Sequence, residues 1–394
     1  MPDHNIKNKK RFILFSNREK ALLIFGGSNV SIVSGKYFVK GTFSEYLLRL
    51  SQNYETVLWV ASITDGFSTS SSMQIENVVV LPVKHRSFRS LLFNALRIMQ
   101  FLIKRPSVIV FHFPAYLPIF PFIRLCSPKF LAYLGVNFRV AAERGLINPN
   151  ILWKYVFLKG FEYPIRKADV VLVRGNSLKK IAKDFNSNVV SSMPLGWFPD
   201  NHVVHDKGKL RNTDRFCVLY VGKVSLEKGV DVLFDAMKAL ANLWPDKCFC
   251  LEVFGNGSFI EALQELSEDL PKNLQLRLHG WVDAKPIMSQ AFTQSDLLVC
   301  PSVYPEGAPR VIEEAMMFGV PVVASRVQGI KDEFDETEIF FVEPGSVISL
   351  SSAIGDVLFN PEETYVKVQR SQKRFEKWNS YKSAAEQHHS YLIG

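Results

Sequence analysis

The sequence predicts an α/β protein built of two doubly wound, Rossmann-like domains that face one another across a cleft. Three observations predict it. The chain has 394 residues, more than one ordinary core holds and suited to two units of roughly 150–200 residues each. Its second half alternates short apolar runs with amphipathic stretches. Its first half repeats that rhythm less regularly. Strands of this length alternating with helices imply βαβ units and a parallel sheet, with right-handed crossovers placing helices on both faces.

In the second half, strands are expected at 216–222, 249–255, 274–280, 296–300, 320–325 and 338–342. Helices are expected at 229–244, 259–266 and 309–318, with a short one after 280. In the first half, apolar runs lie at 21–25, 57–61, 78–81, 108–111, 130–134 and 170–173, with amphipathic stretches at 43–50 and 91–102. The expected division is an N-terminal domain over 1–199, a polar linker at 200–214, a C-terminal domain over 215–375, and a terminal helix within 376–394 that packs back on the first domain. Ligands of open α/β sheets bind outside the carboxyl ends of the strands, so the cleft is the expected site.

Composition narrows the classes. A hydrophobic fraction of 47% and a charged fraction of 22% are globular values. The first twenty residues hold only a four-residue apolar stretch, shorter than a secretion leader needs. The run 108–123 carries three prolines and is too short to span a bilayer, so a cytoplasmic protein is expected. Five cysteines, Cys126, Cys217, Cys248, Cys250 and Cys300, are an odd number and read as small buried thiols rather than disulfides or a zinc site.

Charge is unevenly placed. Residues 1–200 hold 27 Lys+Arg and 11 Asp+Glu, a net of +16, and the remainder nets −7. The basic half is expected to face something anionic. No nucleic-acid-binding motif accompanies it. Aromatic and basic residues alternate from Phe111 to Lys167, among them Tyr116, Phe120, Phe122, Arg124, Lys129, Phe130, Trp153, Lys154, Tyr155, Lys159 and Arg166. Such a face suits an anionic membrane surface, and core aromatics with solvated charges give the same pattern.

The residues that carry chemistry lie at expected strand ends. Glu306, Gly307, Ala308, Pro309 and Arg310 follow the strand 296–300, and Glu314 lies beyond them. Proline suits a first helical turn, so a helix start is expected just after Glu306, where it favours an anion. Carboxylates on either side would accept hydrogen bonds from sugar hydroxyls. A ligand with a phosphate centre and hydroxyl-rich ends fits, and a nucleotide sugar is such a ligand. Gly222, Lys223, Lys228 and Gly229 follow the strand 216–222. There the glycine admits close backbone approach and the two lysines can neutralise a diphosphate. Gly255-Asn256-Gly257 reads as a tight turn near phosphate or ribose, or as simple turn chemistry. His112 ends the run 108–111 and is expected to point into the cleft, although core histidines share that setting.

These segments resemble the retaining GT-B glycosyltransferases of the large family-four group: GKVSLEKG at 222–229, VFGNG at 253–257, LHGWVD at 278–283, SDLLVCPS at 295–302, EGAPRVIEEAMMFGVPVVAS at 306–325 and PSVIVFHFP at 106–114. The resemblance covers about 160 residues of the second half and is thin in the first. It implies that Glu306 contacts the donor sugar, that Glu314 holds the ribose diol, and that Lys223 and Lys228 contact the diphosphate. Trp281, Val282 and Asp283 would line the base, and His112 would lie near the sugar. Arginine usually stands where this chain has Lys223, which supplies charge without a bidentate fork. Gly26 and Gly27 match the glycine loop after the first strand, and the unusual segment 28–40 would reach an acceptor or lipid phosphate through Lys36 or Lys40.

The expected activity is hexose transfer from a UDP- or GDP-sugar to a saccharide or lipid-linked saccharide, retaining configuration and using no metal and no cofactor. Surface polysaccharide assembly is the expected setting. The alternatives are an epimerase or hydrolase of nucleotide sugars on the same fold, and a non-catalytic scaffold that binds nucleotide sugar or membrane.

Overall fold

The computed structural model describes residues 21–33, 36–39, 42–63, 78–83, 108–112, 129–134, 162–192, 215–282, 285–376 and 384–393. Two sheets organise them. The first contains β1 (Ala21–Val33), β2 (Lys36–Val39), β3 (Thr56–Ile63), β4 (Val78–Val83), β5 (Val108–His112), β6 (Lys129–Leu134), β7 (Val170–Val173) and β8 (Val189–Ser191). Its order is β4-β3-β1-β5-β6-β7-β8, all parallel, with β2 antiparallel to β1. The second contains β9 (Arg215–Val221), β10 (Cys248–Phe254), β11 (Leu274–Gly280), β12 (Leu297–Cys300), β13 (Val322–Ser325) and β14 (Phe340–Val342). Its order is β11-β10-β9-β12-β13-β14, parallel throughout. Two parallel-sheet Rossmann-like domains are therefore present.

The expected strands of the second half recur within one or two residues. Valine, leucine and isoleucine fill both faces because helices cover both, as parallel sheets require. One face packs on α3 (Val230–Leu243) and α8 (Val347–Phe359) through Leu233, Phe234, Met237 and Ile354. The other packs on α5 (Lys285–Gln294) and α6 (Arg310–Met317) through Phe292, Ile312, Ala315 and Met316. Between β9 and β12 the strand order reverses, which opens the crevice at their carboxyl ends.

The first half departs from expectation at its opening. Gly26 and Gly27 do not lie in a loop. Strand β1 continues through them to Val33, with a register shift against β3 between Phe25 and Asn29, then pairs with β2. Lys36 therefore lies in β2, and Lys40 falls outside the described residues. The membrane-facing reading is largely untouched, since most of its residues also lie outside them. Of those described, Phe130 is core and Arg166 stacks over Phe185 at 4.8 Å. Among the described residues, no helix is long and apolar enough to cross a membrane. Cys250 and Cys300 are buried, but Cys248, the first residue of β10, is exposed and Cys217 is half-buried, while Cys126 lies outside the described residues.

The terminal helix α10 (Ala384–Ile393) packs on α1 (Thr42–Ser51) in the first domain, with Ala384, Ala385 and Leu392 joining that core. His388 fastens it. Its Nδ1 meets the Tyr46 hydroxyl at 2.9 Å and its Nε2 meets the Ser192 hydroxyl at 2.9 Å. Burial holds the His388 imidazole well below its ordinary pKa and brings that of nearby His112 down to about 3. Unfolded histidines bind a proton near pH 6.5, whereas these two cannot do so while folded. Stability of the helix is therefore present above pH 6.5 and lost as pH falls below it, by about 1.4 kcal/mol per histidine per pH unit. Hydrogen exchange in α10 peptides checks this. The opening free energy is expected to drop between pH 7 and pH 5, and equal values at the two pH values contradict it.

Candidate functional site

The loops that follow β9, β10 and β12 interlock at the crevice. The Gly222 amide donates to the Phe254 carbonyl at 2.9 Å and the Val224 amide to the Asn256 carbonyl at 3.1 Å. The Val303 amide donates to the Glu227 carbonyl at 3.0 Å, tying the loop after β12 to that after β9. Two glycines make this possible. A Cβ on Gly255, at φ +149°, would stand 1.7 Å from the Gly222 carbonyl oxygen. One on Gly229, at φ +67°, would stand 2.1 Å from the Pro301 carbonyl oxygen. The Gly255-x-Gly257 turn thus serves loop-to-loop approach: Gly257 lies equally tight against Val224, where a Cβ would meet the carbonyl oxygen at 2.1 Å. A Cβ on Gly222 would stand 3.3 Å from the Tyr220 hydroxyl, a tight approach to a side chain rather than to backbone.

On this frame Lys228 and Glu306 meet. The Lys228 ammonium donates to a Glu306 carboxylate oxygen, which also accepts the Ser302 hydroxyl. Lysine and glutamate are 78 positions apart in sequence. They stand at the ends of β9 and β12, the two strands that flank the switch point. Lys223 is not part of this contact. It is 59% exposed on the same loop, 3.9 Å from Glu227. The Tyr220 hydroxyl donates to the Lys223 carbonyl at 2.6 Å and steadies the loop's start.

Helix α6 begins at Arg310, with extended Pro309 as the residue before it rather than inside its first turn, and no side chain caps it. Gly307 and Ala308 form the link back to Glu306. Glu314 lies in the second turn, half-buried, and burial pushes its carboxyl up to about 7 against the opposing charge of Arg310. Its neighbour Glu313 is fully buried and pairs with Arg174 of the first domain. Trp281 is 63% exposed beyond β11, Val282 packs partly against the second core, and Asp283 lies outside the described residues.

His112 corrects an expectation. Its ring is 1% exposed and does not turn out into the gap between the domains. Phe43, Tyr46 and Tyr133 pack around it, with the Tyr133 ring centroid 4.9 Å away, and neither ring nitrogen has a partner among the described residues. Helices α1 and α10 close over that end of β5, a cover that the strand's own sequence does not announce.

Sequence reasoning missed Ser302, Arg174 and Glu313. Ser302 sits in a quoted segment, but its bond to Glu306 depends on how the loop folds. Arg174 had a weak signal, a charge directly after the apolar run of β7. Among the described residues, no three histidine, cysteine, aspartate or glutamate side chains gather as a cation site.

The arrangement joins a cation, a carboxylate and an uncapped helix start at one sheet edge, a combination suited to a ligand with both phosphate and hydroxyl groups. The family model described as Glycosyl transferases group 1 matches residues 204–375. TuaC of Bacillus subtilis, whose name places it in teichuronic acid biosynthesis as a glycosyltransferase, is 26% identical over 244 residues, 59% of this chain and 58% of that protein. An Escherichia coli UDP-Gal:alpha-D-GlcNAc-diphosphoundecaprenol alpha-1,3-galactosyltransferase is 30% identical over 191 residues, 47% of this chain and 43% of that protein. The alignments thus span less than two thirds of these relatives. The fold likeness is broader: the Anabaena protein HepE, solved in complex with UDP, superposes with a TM-score of 0.65 at 18% identity over 95% of this chain and 99% of that one. The neighbouring solved structures are GT-B glycosyltransferases, and this chain has their two-domain fold.

Proposed function

We propose, from the premise that residues 204–375 of this chain are a domain of the Glycosyl transferases group 1 family, that the protein moves a hexose-type sugar from a UDP- or GDP-sugar to a hydroxyl acceptor with retention of configuration. The observation that carries the proposal is the meeting of Lys228 and Glu306 at the switch point of the second sheet, beside the start of α6. In this reading the diphosphate lies between Lys228 and the helix start, Glu306 turns to the sugar hydroxyls, and Glu314 holds the ribose diol. The base stacks near Trp281 and Val282. Lys223, exposed on the same loop, adds a second positive charge toward the diphosphate.

The chemistry follows from charge. As the bond from the anomeric carbon to the phosphate oxygen breaks, its electron pair goes to the diphosphate. Lys228 and the helix dipole stabilise that developing anion. The acceptor hydroxyl attacks the same face and its proton passes to a phosphate oxygen. The ammonium supplies the charge that a metal cation would otherwise provide, so the step needs no metal. The acceptor is read as a saccharide or lipid-linked saccharide in surface polysaccharide assembly. Support comes from what the relatives' names say of teichuronic acid and of a diphosphoundecaprenol-linked sugar. A basic first half would bring the chain to an anionic membrane surface.

The test is thermal melting with UDP, GDP, ADP and CDP in turn. A ligand at 100 times its dissociation constant stabilises the native state by about 2.7 kcal/mol. One uracil or guanine nucleotide is expected to raise the melting temperature by several degrees. No rise with any of the four removes the proposal. Release of free sugar or epimer from the matching nucleotide sugar alone, as the dominant product, would favour an epimerase or hydrolase.

A further inference from the structure

Among the described residues, polar side chains join the two domains beside the switch point. Arg174, directly after β7, is 7% exposed and donates through Nη1 to the Ser192 carbonyl at 3.0 Å and through Nη2 to Glu313. Glu313 is 0% exposed on α6, and its second oxygen has no partner among the described residues. Beside it, Glu333 of α7 (Ile330–Glu333) lies against Gly175, 3.6 Å from where a Cβ would stand, and is held by Arg374 at 2.7 Å. The same strip continues to Gln328, whose side chain reaches Ser177 at 3.5 Å and whose carbonyl accepts the Glu306 amide at 2.9 Å. One short segment therefore touches both the first domain and the backbone of Glu306.

Stability alone does not account for a buried pair here. Desolvation offsets much of the attraction, and apolar residues of similar size often serve as well or better. The neighbours Ile312 and Ala315 show that this part of α6 accepts apolar side chains. What a planar guanidinium gives that apolar packing does not is a fixed direction and distance.

We propose that Arg174 is a positioning residue: through Glu313 it fixes how the first domain sits against helix α6 and the Glu306 loop, holding the two halves of the site in one register. Its kinetic consequence rests on the transferase reading above, but its structural consequence does not. In that reading the nucleotide contacts all come from the second domain, whereas transfer needs both.

The test compares wild type with Arg174→Gln and Arg174→Lys by small-angle X-ray scattering, by calorimetric binding of UDP and GDP, and by turnover. In Arg174→Gln the maximum dimension is expected to grow and turnover to fall about tenfold or more, while nucleotide affinity stays within about twofold of wild type. Arg174→Lys, which keeps the charge, is expected to recover part of the turnover. A fall in turnover matched by an equal fall in nucleotide affinity marks a general structural role and overturns the proposal. So does an Arg174→Gln scattering curve that superposes on wild type. If wild type transfers no sugar, the transferase reading has failed and the scattering comparison decides this proposal by itself. Glu313→Gln replaces Arg174→Gln in the same comparison should that variant not fold.

Discussion

Replacing Lys228 by alanine is expected to lower turnover by about two to three orders of magnitude while the protein still folds. That is the usual loss when one group aimed at developing charge is removed from a water-poor site. Lys228 stands at the crevice with its ammonium on Glu306, and both side chains are partly buried. The fold tolerates the change because the Ser302 hydroxyl still holds Glu306 and the Lys228 backbone still donates to Ser225 at 2.9 Å. Steady-state kinetics with the donor found by melting, alongside the melting temperature of the variant, separate the two effects. Near-wild-type turnover would count decisively against a role at the leaving group.

The second large effect is structural. Gly255→Ala is expected to destabilise the protein by at least about 3 kcal/mol and to lower its melting temperature by roughly 6–12 °C. The added carbon would stand 1.7 Å from the Gly222 carbonyl oxygen, and the φ of +149° is one that side chains rarely adopt. Neither problem is relieved by a rotamer change, because backbone meets backbone. Gly345→Ala is the matched control. It also sits at positive φ, +74°, but a Cβ there meets nothing within 4 Å, so only the conformational cost of about 1 kcal/mol applies. Equal melting temperatures for the two variants would show that the loop after β9 yields easily.

Both predictions draw on features whose legibility in the sequence differed. Lys228, Glu306, Gly255 and Gly257 were all visible as loop residues at strand ends, because apolar runs of four to eight residues mark buried parallel strands directly. That Gly255 and Gly257 exist to let two loops touch was not visible, since it depends on residues more than thirty positions away. The strand continuing through Gly26 and Gly27 was hidden for another reason. The GGSN segment breaks the apolar run locally, and only pairing with β2 and β3 carries it on as a strand. The helices Val347–Phe359 and Pro361–Glu376 were not anticipated either, although the first completes one face of the second core.

From the sequence alone came the two-domain α/β class, the strand ends, and the residue types suited to phosphate and hydroxyl groups. Those rest on local periodicity and on glycine, proline and charge at particular positions, which act over a few residues. The tertiary structure alone decided that Lys228 lies on Glu306, that Arg174 crosses to Glu313, and that His112 is enclosed under Tyr46 and Tyr133 rather than open to the gap. Each of those depends on strand order and on how one helix or domain covers another, and no local pattern in a chain encodes which distant partner will close over it.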